Sequence, residues 1–173
     1  RQRAKGYTLY TDDPVGFIEI VLGDTMWTKQ REVAEAVRDH TRVAVPAGHS
    51  PGKSWLASRL TCWFATVWPL GTAKVLTTAP KMRQVEQIMW GGAGIRRAHL
   101  AGRLPGVVTA HTWKIGNDTL AYGFSPNEWD EDAVQGEHMP HLMLVVDEAG
   151  GIGHVLGRAY TSLMSQPHPR LIL

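Results

Sequence analysis

The sequence predicts a three-layer α/β/α sandwich built on a mostly parallel central sheet. Three observations point there. Short apolar runs alternate with helix-period segments through most of the chain, the order that places helices on both faces of a parallel sheet. Residues 142–146 are continuously apolar, as a strand covered on both sides must be. A glycine-containing loop lies between a short strand and a helix near residue 50, the junction at which open α/β sheets carry their ligands.

The elements follow in order. Residues 1–23 read as an irregular lead-in with a short apolar segment at 15–22. Residues 28–39 predict a helix with a polar face. Residues 42–45 predict a strand, because Val43 and Val45 are β-branched and Pro46 ends the run. In 53–68 the apolar residues Leu56, Leu60, Phe64 and Val67 recur at helical spacing, and Pro69 and Gly71 stop the helix. Trp55, Trp63 and Trp68 on this helix are expected to pack against the sheet. Residues 74–78 predict the next strand. Pro80 is expected in the first turn of a further helix, with Met82, Val85, Ile88 and Met89 as its apolar stripe, until Gly91, Gly92 and Gly94 break it. The stretch 95–104 carries Arg96, Arg97 and Arg103. Residues 113–123 predict a hairpin turning at 116–118. An acidic loop at 127–132 precedes the apolar strand 142–146. A helix is expected at 155–164, and a strand begins at 171.

Composition narrows the function classes. A chain of 173 residues with 43% hydrophobic and 20% charged residues fits one globular domain. No apolar run approaches the roughly 18 residues of a membrane span. The basic residues at 1–5 are not followed by a signal core. The single cysteine, Cys62, forms no disulfide framework, suits a reducing compartment, and reads as a small buried apolar residue. A net charge of +2 leaves any nucleic-acid contact to a local patch or to several subunits together.

The strongest local signal is Ala47-Gly48-His49-Ser50-Pro51-Gly52-Lys53-Ser54. It fits the nucleotide-binding phosphate loop, the Walker A motif, with alanine first, a four-residue spacer and Gly-Lys-Ser. The backbone must curl so that successive N–H groups face one phosphate chain. Gly52 permits the close approach, and the following helix aims its positive end at the phosphates. Lys53 would reach the β- and γ-phosphates, and Ser54 would offer its hydroxyl to Mg²⁺. Pro51 removes one N–H donor from this loop.

The apolar strand 142–146 ends in Asp147-Glu148, the Walker B position. Asp147 would hold Mg²⁺, and Glu148 would orient and polarise the attacking water as a general base. An acidic pair alone is a weak signal; with the loop upstream it points to ATP hydrolysis. His138 and His141 sit three apart but lack the cysteines or intervening glutamate of a zinc site, and Pro140 interrupts any helix between them.

In order and combination, these motifs resemble the ATPase domain of tailed-phage or prophage terminase large subunits, and the resemblance covers essentially the whole chain. Asp13-Pro14-Val15-Gly16-Phe17 followed by Trp27-Thr28-Lys29-Gln30 resembles that family's adenine-recognition segment, so Gln30 is expected to read the adenine edge. Thr77-Thr78-Ala79-Pro80 resembles the strand-to-helix motif shared with helicases. Gln135-Gly136-Glu137-His138 and Glu148-Ala149-Gly150-Gly151 are similar to segments of prophage-type members. The resemblance implies a single P-loop NTPase domain over 1–173. Residues 1–40 would be the lead-in and adenine segment and 41–173 the nucleotide-binding core. The coupling motif and a nuclease domain would follow Leu173, so no DNA cleavage is expected from this segment.

It further implies ATP and Mg²⁺ as cofactors, and double-stranded DNA, a portal and a small terminase subunit as partners. A homo-oligomeric ring in the bacterial host cytoplasm, with no membrane association, is expected. The arginine that would stabilise charge on the transferring phosphoryl group is unassigned: the positions where relatives carry it hold His49, Ser50 and Gln135. Arg96, Arg97, Arg103 and Arg158 are candidates for that role or for DNA contact. Two other readings stay open, a helicase-like ATPase and a nucleotide-binding module with little hydrolysis. Pro51 and the unassigned arginine keep the second in view.

Overall fold

The computed structural model describes residues 7–46, 52–125, 139–151, 161, 163 and 165–173. Seven strands form one sheet: β1 (Arg42–Val43), β2 (Ala73–Thr78), β3 (Val107–Val108), β4 (Thr112–Ile115), β5 (Asp118–Phe124), β6 (His141–Val146) and β7 (His168–Ile172). Their order is β1-β7-β6-β2-β5-β4-β3. The first five of these run parallel; β4 turns back on β5, and β3 on β4. β7 therefore lies between the strand that leads to the glycine loop and the strand that ends in Asp147.

The pleat explains how the sheet is buried on both sides. Along β6, Met143 and Val145 face a core shared with Val75 of β2 and with helix α3 (Lys53–Val67). Leu142, Leu144 and Val146 face a second core with Leu76, Phe124, Leu163 and Leu171. Alternate residues thus supply opposite layers, and the sandwich expected from the sequence is what forms.

Besides α3, the described residues include helices α2 (Thr28–Asp39) and α5 (Ile95–Ala101) and two short pieces, α1 (Pro14–Gly16) and α4 (Met82–Gln84). Arg170 of β7 donates to the carbonyls of Val37 (3.0 Å) and Arg38 (3.1 Å), capping the last turn of α2 and tying it to the sheet. No helix among the described residues is long and apolar enough to cross a membrane.

Several expectations need correction. The lead-in is helical: a 3-10 turn at Tyr7–Tyr10, then α1, then a π-helical turn at Phe17–Val21. Asp13 caps α1 by accepting from Gly16 N–H at 2.7 Å. Phe17 and Ile18 are fully buried, so this segment is part of the core. Pro80 lies outside α4, whose cap is Lys81. A second π-helical turn, Val85–Trp90, buries Val85, Met89 and Trp90 but leaves Ile88 50% exposed. Its wider turn rotates Ile88 off the stripe that a 3.6-residue period implies. Gly123 of β5 sits where a Cβ would collide with Val85 and Trp90, which fixes glycine in that strand.

The tryptophans divide their roles. Trp63 packs on the N-terminal segment and donates its Nε1–H to the Tyr10 carbonyl at 2.7 Å. Trp55 lies under the Arg59 guanidinium, 4.3 Å from its ring centroid. Trp68 stacks on His141 at the start of β6, with ring centroids 3.5 Å apart. Of the three, only Trp68 stacks on a side chain of the sheet. The strand expected from 171 begins at His168, and β3 was not foreseen. The acidic loop at 127–132 lies outside the described residues, as does most of the helix expected at 155–164; Thr161 and Leu163 are helical.

Candidate functional site

Gly52 opens the site. Its φ of 78° lies in the left-handed region, which glycine enters without steric cost. The Gly52 carbonyl accepts from Leu56 N–H at 2.9 Å and starts α3. Lys53 and Ser54 are thus the first two helical residues, at the end where unpaired N–H groups and the helix dipole favour anions. Residues Ala47, Gly48, His49, Ser50 and Pro51 lie outside the described residues.

The second half comes from β6. The parallel ladder with β2 extends one residue past the strand, because Asp147 N–H donates to the Thr78 carbonyl at 2.9 Å. This holds the backbone of Asp147 at the tip of β6, from which its side chain reaches α3. Ser54 Oγ donates to Asp147 Oδ2 at 2.7 Å. The two residues expected to share a cation are therefore in direct contact although 93 positions separate them in the sequence. They present adjacent oxygen ligands of the hard type that suits Mg²⁺.

Glu148 follows with φ of 55°, one of only two non-glycine residues among those described in the left-handed region. That conformation turns the chain sharply at the strand tip and separates the Glu148 carboxylate from that of Asp147. Gln84 Nε2 donates to Glu148 Oε2 at 2.8 Å.

Lys53, Asp147, Glu148 and Ala149 share one cavity of about 360 Å³, floored by apolar residues including Leu56 and Val145. That volume lies at the lower end of the range of about 300–1,000 Å³ typical of small-molecule sites. A neighbouring cavity of about 240 Å³ also reaches Lys53 and is lined by Trp27, Lys29, Gln30, Glu32 and Gly52. Gln30 lies directly against the loop: a Cβ on Gly52 would stand 2.8 Å from Gln30 Nε2. Its Oε1 accepts from Trp27 N–H at 3.3 Å, closing the first turn of α2. One end of the amide is thus engaged with its own helix while the NH₂ faces Gly52.

The arginines stand apart from these cavities. Arg96 and Arg97 are exposed on α5, and Arg96 donates to the Thr109 carbonyl at 3.1 Å, beside the β3 edge of the sheet. Arg103 is exposed, with φ of 48°. None of the three lines either cavity. Arg158 and the segment 135–138 lie outside the described residues. No cluster of three or more metal-ligating side chains occurs among the described residues. His141 stacks between Trp68 and His168, and burial, followed by the charges of His168 and Arg170, pushes its pKa down.

Two participants were missed in the sequence. Gln84 has no signal there, because its helix is capped by Lys81, which is not among the residues that mark helix starts. Arg59 is 3% exposed and pairs with Asp24 at 2.9 Å, pinning α3 to the loop ahead of α2. An arginine inside an apolar helix stripe is the only hint of it in the sequence.

Together these features define a parallel α/β sandwich in which a Gly-Lys-Ser helix start and an Asp-Glu strand tip converge on one cavity. No family model matches the chain. Over 95% of its length, however, it is 26% identical to a protein described as a probable terminase large subunit of Enterobacteria phage P7. The chain spans 35% of that protein's length. The similarity agrees with the terminase resemblance carried by the motifs.

Proposed function

We propose that this chain is the Mg²⁺-dependent ATPase motor region of a viral DNA-packaging terminase large subunit, coupling ATP hydrolysis to translocation of double-stranded DNA into a procapsid. The observation that carries the reading is the 2.7 Å hydrogen bond from Ser54 to Asp147, on a cavity that Lys53 also lines. A decorative glycine turn and an unrelated strand end have no reason to meet in this way.

The roles follow from position. The start of α3, opened by Gly52, meets the phosphate chain with its unpaired backbone N–H groups. Lys53 places its ammonium against the β- and γ-phosphates. Ser54 and Asp147 hold Mg²⁺, which when bound offsets the charge of the phosphate oxygens. Glu148 accepts a proton from the attacking water and orients it. Gln30 directs its amide NH₂ toward the loop, where it can donate to an adenine ring nitrogen; its Oε1 keeps a second lone pair beyond the one used by Trp27.

Arg96 and Arg97, exposed and remote from the cavity, fit contact with DNA or with a neighbouring subunit's nucleotide better than action on their own. Assembly into a ring, engagement of a portal and a small subunit, and work in the host cytoplasm belong to the same proposal and rest on the terminase resemblance of the motifs.

The test is steady-state ATP turnover with and without double-stranded DNA. Glu148→Ala is expected to lower kcat by about 10²- to 10⁴-fold, the usual contribution of a general base. Lys53→Ala is expected to lose nucleotide binding as well. Full activity in either variant would refute the assignment.

A further inference from the structure

Gln84 is a side chain to which the sequence assigns no role, yet it touches the residue on which hydrolysis would turn. Its amide is fixed at both ends. Oε1 accepts from Lys81 N–H at 3.1 Å, so the oxygen is held by the exposed N–H at the start of its own helix. This settles which way the amide points: the oxygen is turned back toward the cap, and the NH₂ is turned outward. Nε2 then donates to Glu148 Oε2 at 2.8 Å.

Glu148 needs such a partner. Its backbone occupies a left-handed conformation that is unfavourable for a non-glycine residue. Its side chain is exposed, and a free glutamate in water would sample many rotamers. A donor anchored to the helix after β2 narrows that set, on a residue that borders the cavity shared with Lys53.

We infer that Gln84 is a positioning residue for Glu148: its capped amide holds the carboxylate in the orientation from which it acts on the attacking water. The inference rests on the ATPase reading above. It concerns only the alignment of Glu148; Gln84 itself is not among the residues that line either cavity.

Gln84→Glu separates alignment from folding. Glutamate at this position still accepts from Lys81 N–H, so the helix start is preserved, but it no longer donates to Glu148 and instead repels that carboxylate from the held orientation. Gln84→Ala removes both bonds. Measured on the full-length protein, Gln84→Glu is expected to lower kcat for ATP by about 10- to 100-fold, the scale of a misplaced catalytic group. KM, the affinity for a fluorescent ATP analogue with Mg²⁺, and the melting temperature should stay close to wild type. Gln84→Ala should show the same loss of kcat with a somewhat lower melting temperature. Wild-type kcat in Gln84→Glu, alongside an inactive Glu148→Ala, overturns the positioning role and leaves the ATPase reading standing. A parallel loss of analogue affinity in Gln84→Glu also overturns it, because alignment of Glu148 does not act on binding. No turnover by the wild-type protein, with or without DNA, overturns both.

Discussion

Replacing Asp24 by alanine should destabilise the protein far more than its position in a loop suggests. Arg59 is buried in the middle of α3 and carries a full charge into the core. Its Nε donates to Asp24 Oδ2 at 2.9 Å, its NH1 to Ser58 Oγ at 3.0 Å and to the Ala93 carbonyl, and its plane lies over Trp55. Without Asp24 the cation keeps two neutral acceptors and a ring face but has no counter-charge. Stranding one member of a buried pair costs about 3–5 kcal/mol. The Asp24 side chain retains 25% exposure, so water can enter the space it leaves, and the expected cost falls to about 2–3 kcal/mol.

The assay is urea unfolding with linear extrapolation on the wild type, Asp24→Ala, Arg59→Met and the double variant. Methionine keeps much of the apolar stem and removes the charge. The double variant should therefore be more stable than the sum of the single losses allows, by about 1–3 kcal/mol. A loss below about 1 kcal/mol in Asp24→Ala, the scale of an exposed pair, would refute the reasoning, and so would strictly additive effects. The outcome bears on function because Arg59 locks the helix that begins with Lys53 and Ser54 to the loops before α2 and α5.

Two further outcomes follow from burial. The Cys62 thiol is enclosed in α3 and its pKa is pushed up to about 12, so it should resist a disulfide reagent in the folded protein at about pH 8 and react promptly in urea; rapid labelling of the native protein would contradict this. His141 and His99 both have lowered pKa values, chiefly from burial. A depressed folded value means the unfolded chain takes up protons first. Their contribution is thus complete above the ordinary histidine value of about 6.5 and is lost as pH falls through the lower folded values. Unfolding free energies measured at about pH 7.5 and about pH 5.5 should show the decline, and His141→Phe should reduce it. Equal stability at both pH values would argue against it.

The parts of the fold legible in the sequence were those with a regular period and a clear stop. Residues 28–39 and 53–67 repeat at helical spacing, and Pro69 and Gly71 punctuate the second. The run 142–146 could only be a covered strand. The misreadings share a cause. In both π-helical turns, Phe17–Val21 and Val85–Trp90, the backbone widens and the apolar stripe rotates, so Ile20 and Ile88 emerge into solvent and a 3.6-residue template fails. Asp13-Pro14 did carry a helix-start signal, an N-cap followed by proline, but the apolar segment after it was too short for periodicity to support it. For the site, residue type and order were enough to nominate Ser54, Asp147 and Glu148. Contacts such as that of Gln84 with Glu148 depend on where a second helix begins, and no spacing along the chain encodes that.

The placement of β7 has a kinetic consequence. At the described edge of the sheet, β1 is held through Arg42 paired with Leu171 and Val43 with Ile172, partners that lie most of the chain's length apart. Bringing such distant segments together carries a loop-closure cost before any contact rewards it. The strand beneath the glycine loop can therefore join the sheet only after its spacer has docked on β6. During synthesis, the two halves of the candidate site, at β1 and at β6, would lack their common frame until residues 168–172 have left the ribosome.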